Sequence, residues 1–382
     1  ARRVAAHRIS QLMALYPDLL PATAVQNAFT LPQDIRQLTA DHLVAAGASK
    51  QQHQWLVVAG WPCQDMSLAG KAAGLRGERA ALLFDLIRVI GALQQLQPDL
   101  PPGYLIENVA FQHHKDPAIS RGDFQTVCAM IGTPTLIDAA QFGSLAHRVR
   151  NYWTNLCTQP QLSTALAQVV RPPNRTVSLA LGPGREPQPV RVADKSPRFC
   201  CNVPGEPMQA WPTLMAHPNS YAFKPGEPGS VSTEAGDFDQ PTATEREFAL
   251  GYPRDSTAAP GVSEQQRRKL LGECMDANAM QCIYAIAAAW GNEPSNQQAS
   301  CNTSNAAQQP LNTAHTQQSY AAACTVAFAA TAQEKAQGTA TTSDIWHDKP
   351  AMYMLQHGTM PEGITAAERS RISKRLAYYK WA

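Results

Sequence analysis

The order of apolar and polar positions divides the chain into extended and helical segments. Residues 56–59 (LVVA) and 104–106 (YLI) are uninterrupted apolar runs close to Gly or Pro, which is typical of strands buried on both faces of a parallel sheet. Between them, residues 80–96 repeat apolar side chains with the period of an amphipathic helix. Because strand, helix and strand follow in that order, the pattern predicts a right-handed crossover in a doubly wound α/β fold.

Helical periodicity also appears near the two ends of the chain. Residues 1–15 place apolar side chains among basic ones at a spacing that predicts a helix. Residues 263–290 have the same character, and Ser263 is suited to cap the N-terminus of that helix. A third, basic helix is predicted for residues 366–380.

Composition separates the rest of the chain. Residues 158–240 are crowded with Pro and Gly, which predicts a small, loop-rich region. Residues 292–343 are mostly Ala, Gln, Asn, Thr and Ser with almost no charge, and we interpret them as a low-complexity linker. We therefore expect residues 1–157 and 241–291 to form the α/β core and residues 344–382 to form a basic helical tail.

Charge and cysteine content exclude several classes of protein. Lys and Arg number 32 and Asp and Glu 30, so the whole chain exerts no net attraction on a polyanion and any nucleic-acid surface must be local. Nine cysteines without a Cys-x-x-Cys pair argue against a disulfide-stapled secreted domain and a zinc ribbon, so we predict no metal site and expect a reducing compartment. The sequence has no apolar run near the ~18 residues of a membrane span, so no membrane partner is expected.

Three polar segments lie at the ends of apolar runs, where open parallel sheets bind ligands. Cys63 follows the first predicted strand, and its thiol would be a nucleophile if a helix N-terminus or a positive charge lowered its pKa. Glu107 follows the second run and could transfer a proton. Arg148 and Arg150, two apart on a strand, would point to the same face and hold an acceptor atom or a phosphate.

Each of these residues also has a purely structural interpretation. Cys63 alone is a small buried apolar side chain, Glu107 alone is a polar strand end, and a pair of arginines alone is a solvated basic edge. The three elements together, in order and at the ends of separate apolar runs, favour a catalytic site.

The sequence around these residues resembles the motifs of DNA (cytosine-5) methyltransferases. Residues 60–67 (GWPCQDMS), continued to residue 84, resemble the nucleophile motif and the mobile catalytic loop. Residues 107–109 (ENV) are similar to the Glu-Asn-Val motif, and residues 146–153 (AHRVRNYW) resemble the Arg-x-Arg motif in its eukaryotic de novo form. Weaker resemblances, to the cofactor-adenine motif, the motif closing the target-recognition region and the final motif, are at residues 34–36, 244–253 and 271–275. The resemblance covers residues 1–290.

This resemblance implies a Rossmann-like S-adenosylmethionine-dependent fold that methylates carbon 5 of a flipped cytosine in double-stranded DNA. Cys63 would add covalently to carbon 6, Glu107 would protonate N3, and Arg148 and Arg150 would fix the base. Implied cofactor contacts are Asp34, Ile35, Pro62, Leu82, Glu273 and Cys274, and implied DNA contacts are Lys71, Arg76 and Arg79. Residues 158–240 would recognise the target, with positive charge from Arg171, Arg175, Arg185, Arg191, Lys195 and Arg198. A nuclear location follows from the eukaryotic form.

The sequence departs from the family at several positions. The family's Phe-x-Gly-x-Gly turn and acidic ribose-binding residue are missing from this sequence. Because residues 1–10 resemble the helix that follows them, we expect the missing part to lie just before Ala1 and cofactor binding by this truncated chain to be weakened. Glu273 replaces the usual Asn of the final motif, and Trp61 replaces a small residue. A catalytically inactive DNA-binding or regulatory relative is therefore the alternative hypothesis, and a relative that methylates transfer RNA is a third.

The C-terminal tail has a resemblance of its own. The segment 344–381 resembles the stretch before the zinc-binding part of retrotransposon integrases, which would make the chain a piece of a mobile-element polyprotein. An unrelated basic helix is the alternative.

Overall fold

The computed structural model describes residues 1–15, 30–48, 54–67, 72–172, 174–196, 198–291 and 365. The predicted linker 292–343 and, apart from Thr365, the predicted tail 344–382 lie outside the described residues.

A four-stranded sheet organises the described core. Its strands are β1 (Leu56–Gly60), β2 (Gly103–Val109), β3 (Thr135–Asp138) and β4 (Val149–Thr154), in the spatial order β1-β2-β4-β3. Both predicted apolar runs form strands, and they are parallel neighbours. The sheet is mixed, because β4 runs antiparallel to both β2 and β3.

The described helices are α1 (Arg2–Leu15), α2 (Ala40–Ala45), α3 (Leu82–Leu96), α4 (Phe124–Ile131), α5 (Gln159–Gln168), α6 (Ala243–Ala249), α7 (Glu264–Glu273) and α8 (Ala277–Gly291). The segments predicted at residues 1–15 and 80–96 are helical. The single helix predicted for residues 263–290 is instead two, α7 and α8. Ser263 caps the first, and the Asp276 carboxylate accepts the backbone N–H of Ala279 at 3.1 Å, which begins the second.

Helices cover both faces of the sheet, because neighbouring residues of each strand point to opposite sides. Ile106 and Trp153 lie in one apolar cluster, which also contains Leu83 of α3 and Val127 of α4. On the other face, Leu105 packs in a cluster with residues of α5 and α8. This three-layer arrangement confirms the predicted α/β class.

The Pro- and Gly-rich region has a small core of its own. The short strands β5 (Arg185–Pro187), β6 (Val231–Thr233) and β7 (Phe238–Asp239) form an antiparallel sheet, beside which Trp211 is fully buried. The backbone of Trp211 exchanges hydrogen bonds with residues 145 and 147, just before β4, so this region is fixed to the segment that carries the predicted arginines. Its assignment to target recognition stays a prediction. No helix in the described part of the chain is long and apolar enough to cross a bilayer.

Truncation of Val57 tests the packing of β1. Val57 is 7% exposed in the core, whereas Val170 is 84% exposed, so the same Val→Ala change removes the same two methyl groups from opposite environments. We expect Val57→Ala to lower the free energy of unfolding by about 2 kcal/mol and Val170→Ala to change it by less than about 0.5 kcal/mol. Urea denaturation followed by circular dichroism measures both, and equal losses would contradict the described position of β1.

Candidate active site

The turn that carries Cys63 lies where β1 and β2 end side by side. The register of the parallel pair places Gly60 opposite Glu107. Beyond β1, the Nδ2 group of Asn108 donates to the carbonyl oxygen of Trp61 at 3.0 Å, and the backbone N–H of Met66 donates to that of Cys63 at 3.0 Å. Asn108, which was predicted only as part of a motif, therefore holds the Cys63 turn against the end of β2.

Trp61 has a structural explanation in this site. Its ring centroid lies 5.3 Å from that of Trp153 in β4 and 6.5 Å from that of Phe111, and the side chain is 5% exposed. The large residue at this position thus fills space between the Cys63 turn and the sheet. Such aromatic packing stabilises the turn mainly through buried apolar area.

Glu107 and Arg150 form a partly buried ion pair. Their Oε1 and Nε atoms are 3.0 Å apart, and their side chains are 10% and 13% exposed, respectively. A Cβ atom on Gly60 would lie 3.1 Å from the other Glu107 oxygen and 3.5 Å from the methyl group of Met275. Glycine at this position therefore lets the carboxylate lie close against the end of β1.

The charges that act on the Cys63 thiol come from the other three predicted catalytic residues. Burial raises the pKa of the Cys63 thiol, the charge of Arg150 lowers it, that of Glu107 raises it and that of Arg148 lowers it. The expected lowering of this pKa is wrong for this structure, because desolvation outweighs the two arginines. The expected helix N-terminus does not contribute either, since Cys63 is followed by a turn.

Arg148 connects β4 to the segment between α7 and α8. It is 3% exposed, and its guanidinium donates to the carbonyl oxygens of Gly272 and Cys274. The guanidinium is thus engaged with backbone carbonyls, and its predicted contact with a base stays a prediction. Burial raises the pKa of the neighbouring Asp276 to about 6, against an opposing effect of Arg148. Sequence reasoning missed Asp276, whose only signal is its suitability as a helix cap.

The six predicted cofactor residues occupy two places. Pro62 adjoins Cys63, and the carbonyl of Cys274 binds Arg148, while Glu273 is exposed. Near α3, Asp34 pairs with Arg36, the carbonyl of Ile35 accepts from Arg88 of α3 at 2.7 Å, and Leu82, the first residue of that helix, is buried. A role in cofactor binding stays a prediction for all six.

Two of the three predicted DNA contacts lie in the described part of the loop after Cys63. Arg76 and Arg79 are exposed, and Lys71 lies outside the described residues. Asp65 accepts the backbone N–H groups of Arg79 at 2.9 Å and Ala80 at 3.1 Å, and Asp123 accepts that of Leu75 at 2.9 Å. The two carboxylates hold this part of the loop close to the core while leaving the arginine side chains in solvent.

The basic residues of the Pro- and Gly-rich region divide into two groups. Arg171 and Arg175 donate to backbone carbonyls, and Arg185 pairs with Glu245 and Asp239. The guanidinium groups of these three residues, which were predicted to attract DNA, are therefore engaged with groups of the protein itself. Arg191, Lys195 and Arg198 are exposed.

A second cluster of polar side chains lies behind the start of β4. His147 Nδ1 is 2.9 Å from Asp138 at the end of β3, and Nε2 is 3.1 Å from Asp194. Although burial alone would lower the pKa of His147, its bonds to Asp138 and Cys201 and the carboxylate charges raise it to about 10. The imidazole thus bridges the core and the Pro- and Gly-rich region.

Comparison with known proteins identifies the core that carries the first cluster. A family model described as C-5 cytosine-specific DNA methylase matches residues 30–163, which include Cys63, Glu107, Arg148 and Arg150. Residues 30–163 of this chain are therefore similar to C-5 cytosine-specific DNA methylases. Type II methyltransferase M.NlaIV of Neisseria lactamica is 31% identical over 121 residues, covering 28% of this chain and 27% of that protein. Type II methyltransferase M.NgoBV of Neisseria gonorrhoeae gives the same values. The chain thus spans about a quarter of the length of these relatives.

Solved structures show weaker likeness. The Dnmt2 methyltransferase of S. pombe is 15% identical with a TM-score of 0.44, over 68% of this chain and 84% of that one. The Entamoeba histolytica methyltransferase EhMeth is 13% identical with a TM-score of 0.43, over 69% and 83%. Similarity at this level supports no functional conclusion.

The charge of Arg150 should control the reactivity of Cys63. The thiolate is the form that reacts with iodoacetamide. Because the Cys63 pKa is raised, the rate of its alkylation should still increase at pH values above the ordinary pKa of a cysteine. Arg150→Ala removes the largest pKa-lowering charge, so the thiolate fraction and the rate at a given pH should fall, whereas Arg150→Lys should preserve most of the effect. Peptide-resolved mass spectrometry measures the rate, with exposed Cys200 as the internal reference. Faster alkylation in Arg150→Ala than in Arg150→Lys would contradict this electrostatic role.

Proposed function

We propose that this chain transfers a methyl group to carbon 5 of cytosine in double-stranded DNA. The observation that carries the proposal is the convergence of the Cys63 thiol, the Glu107–Arg150 pair and Arg148 at the adjoining ends of β1 and β2. The match of residues 30–163 to the cytosine-specific family supplies the substrate class. A nuclear location belongs to the same proposal.

The chemistry on the base follows from these side chains. Carbon 5 of cytosine is a weak nucleophile until the Cys63 thiolate adds to carbon 6, which shifts the electrons of the 5,6 double bond towards N3. Glu107, in its protonated form, donates a proton to N3 as that charge develops. Arg150, 3.0 Å from the Glu107 carboxyl group, orients it. Carbon 5 then has enamine character and attacks an electrophile.

The target base must leave the double helix before this step. Carbon 6 of a stacked cytosine is not accessible to a thiol, so the base is flipped at a cost of a few kcal/mol that protein contacts offset. Arg76 and Arg79 are exposed on the loop held by Asp65, and they would contact the phosphate backbone near the target base.

S-adenosylmethionine would supply the electrophilic methyl group, but the described residues do not form a complete site for it. In the four-stranded sheet, β1 is an edge strand, paired on one side with β2. The Asp34 carboxylate already accepts from the backbone and the guanidinium of Arg36, and Glu273 is exposed. Cys63, Glu107, Arg148 and Arg150 therefore support activation of the base, whereas the identity of the methyl donor rests only on the resemblance to the family.

Hydrogen exchange at carbon 5 tests base activation without any cofactor. After Cys63 adds to carbon 6, carbon 5 takes a proton from water. Loss of the original hydrogen and departure of the sulfur restore cytosine, and the N3 proton returns to Glu107. The full chain should thus release tritium from duplex DNA carrying [5-³H]cytosine. Cys63→Ser should abolish release, Glu107→Gln should slow it by about 10²–10⁴-fold, and Cys200→Ser is the matched control.

Three outcomes separate the hypotheses. Tritium release without methyl incorporation from labelled S-adenosylmethionine would leave base activation in place and favour the relative that lost its cofactor site. Equal release by the wild-type chain and Cys63→Ser would remove the nucleophile from the proposal. Release from a transfer RNA substrate, but not from duplex DNA, would replace DNA as the substrate.

The loop arginines should contribute to DNA affinity through phosphate contacts. Each of Arg76→Ala and Arg79→Ala should weaken binding to all sequences alike and reduce the slope of log K against log[salt] by about 0.9. Lys269 of α7 is also exposed but lies outside this loop, so Lys269→Ala is the matched control. Fluorescence anisotropy with a labelled duplex at several salt concentrations measures the slope. An unchanged slope in both arginine variants would exclude these contacts.

A further inference from the structure

The second polar cluster contains three different kinds of metal-binding side chain. One donor atom each from His147, Asp194 and Cys201 lies within 4.8 Å of the others. The His147 Nε2 atom is 3.1 Å from an Asp194 carboxylate oxygen and 3.9 Å from the Cys201 sulfur. All three side chains are at least partly shielded from solvent, and Cys201 is 8% exposed.

These separations are close to those around a tetrahedral zinc ion. With Zn–N and Zn–O bonds of about 2.0–2.1 Å and a Zn–S bond of about 2.3 Å, adjacent ligand atoms lie roughly 3.2–3.6 Å apart. The two distances from His147 Nε2 lie on either side of this interval, and all three donor atoms lie within 4.8 Å of one another, so side-chain adjustments can bring them onto one ion without a change of fold. Imidazole, thiolate and carboxylate together are a donor set suited to Zn²⁺.

The surroundings orient the donors as in established metal centres. Asp138 binds the other nitrogen of His147, Nδ1, at 2.9 Å, which directs Nε2 towards Asp194 and Cys201. The Asp138 carboxylate is itself fixed by the hydroxyl of Ser196. Asp194 accepts the backbone N–H groups of Cys201 and Asn202 at 2.6 and 2.8 Å. A carboxylate behind the histidine and hydrogen bonds to the coordinating carboxylate are the supports that such ligands use.

We propose that His147, Asp194 and Cys201 bind one Zn²⁺, with solvent in the fourth position. The ion ties Asp194 and Cys201 of the Pro- and Gly-rich region to His147, the residue immediately before Arg148. Its role is structural: it fixes the start of β4, and with it Arg148 and Arg150, to the neighbouring small region. The site stands independently of whether the chain methylates DNA.

Metal content of the full chain tests this site directly. After removal of metal with EDTA and addition of Zn²⁺ followed by dialysis, elemental analysis should find about one zinc per chain. Co²⁺ in place of Zn²⁺ should give the intense absorption of a thiolate-to-cobalt charge transfer. Cys201→Ser should lose this band and the bound zinc, whereas Cys200→Ser, a change at the exposed neighbouring cysteine, should keep both.

A second variant separates orientation from coordination. Asp138→Asn leaves all three ligands in place but weakens the support of His147, so zinc affinity should fall by about 10–100-fold while the cobalt band keeps its thiolate character. Zinc binding below stoichiometry in the folded wild-type chain would overturn the site, as would equal binding by Cys201→Ser and Cys200→Ser. The cluster would then be a metal-free network of hydrogen bonds.

The wild-type chain alone provides a readout that does not depend on a variant that folds. Zinc should protect Cys201, but not Cys200, from N-ethylmaleimide, as resolved by peptide mass spectrometry. Modification of Cys201 at the same rate with saturating zinc and with EDTA would overturn the proposal.

Discussion

The parallel pairing of β1 with β2 is the constraint on which the candidate active site depends. Its register sets Gly60 opposite Glu107, and the absence of a side chain at Gly60 leaves room for the carboxylate. A shift of one residue would turn Glu107 to the opposite face of the sheet, because side chains alternate along a strand. The packing of the two apolar faces, which fixes this register, therefore also fixes Glu107 relative to the Cys63 turn.

Buried charge then couples the sheet to the C-terminal helices. The guanidinium groups of Arg148 and Arg150 are removed from solvent near the start of β4, and this loss of solvation must be compensated. Glu107 compensates the lost solvation of Arg150. Backbone carbonyls that are free to accept hydrogen bonds because helix α7 ends before α8 compensate that of Arg148. Asp276 makes this break by capping α8. A helix interruption far along the sequence is thus part of the environment of the candidate active site.

Local pattern was enough to predict the two parallel strands, the α3 helix and the convergence of Cys63 with Glu107. Apolar runs and their ends carry that information in a short stretch of sequence. The partners of buried arginines are different, because the carbonyls that bind Arg171 come from distant turns. The His147 cluster was missed for the same reason, since its members come from separate segments and have no recognisable spacing. The partners of a side chain that come from distant parts of the chain cannot be recognised from a local pattern in one sequence.

The state of Cys63 connects the fold to the proposed chemistry. Desolvation, which comes with the packing of Trp61 and its turn, favours the neutral thiol, and the two arginines offset only part of this effect. When Glu107 is protonated, its negative charge no longer raises the thiol pKa, while Arg150 and Arg148 remain. In the proposed mechanism, the charge on Glu107 would therefore influence the Cys63 thiol as well as the base. Cys63 and Glu107 are thus coupled electrostatically through charges that meet at the ends of β1 and β2.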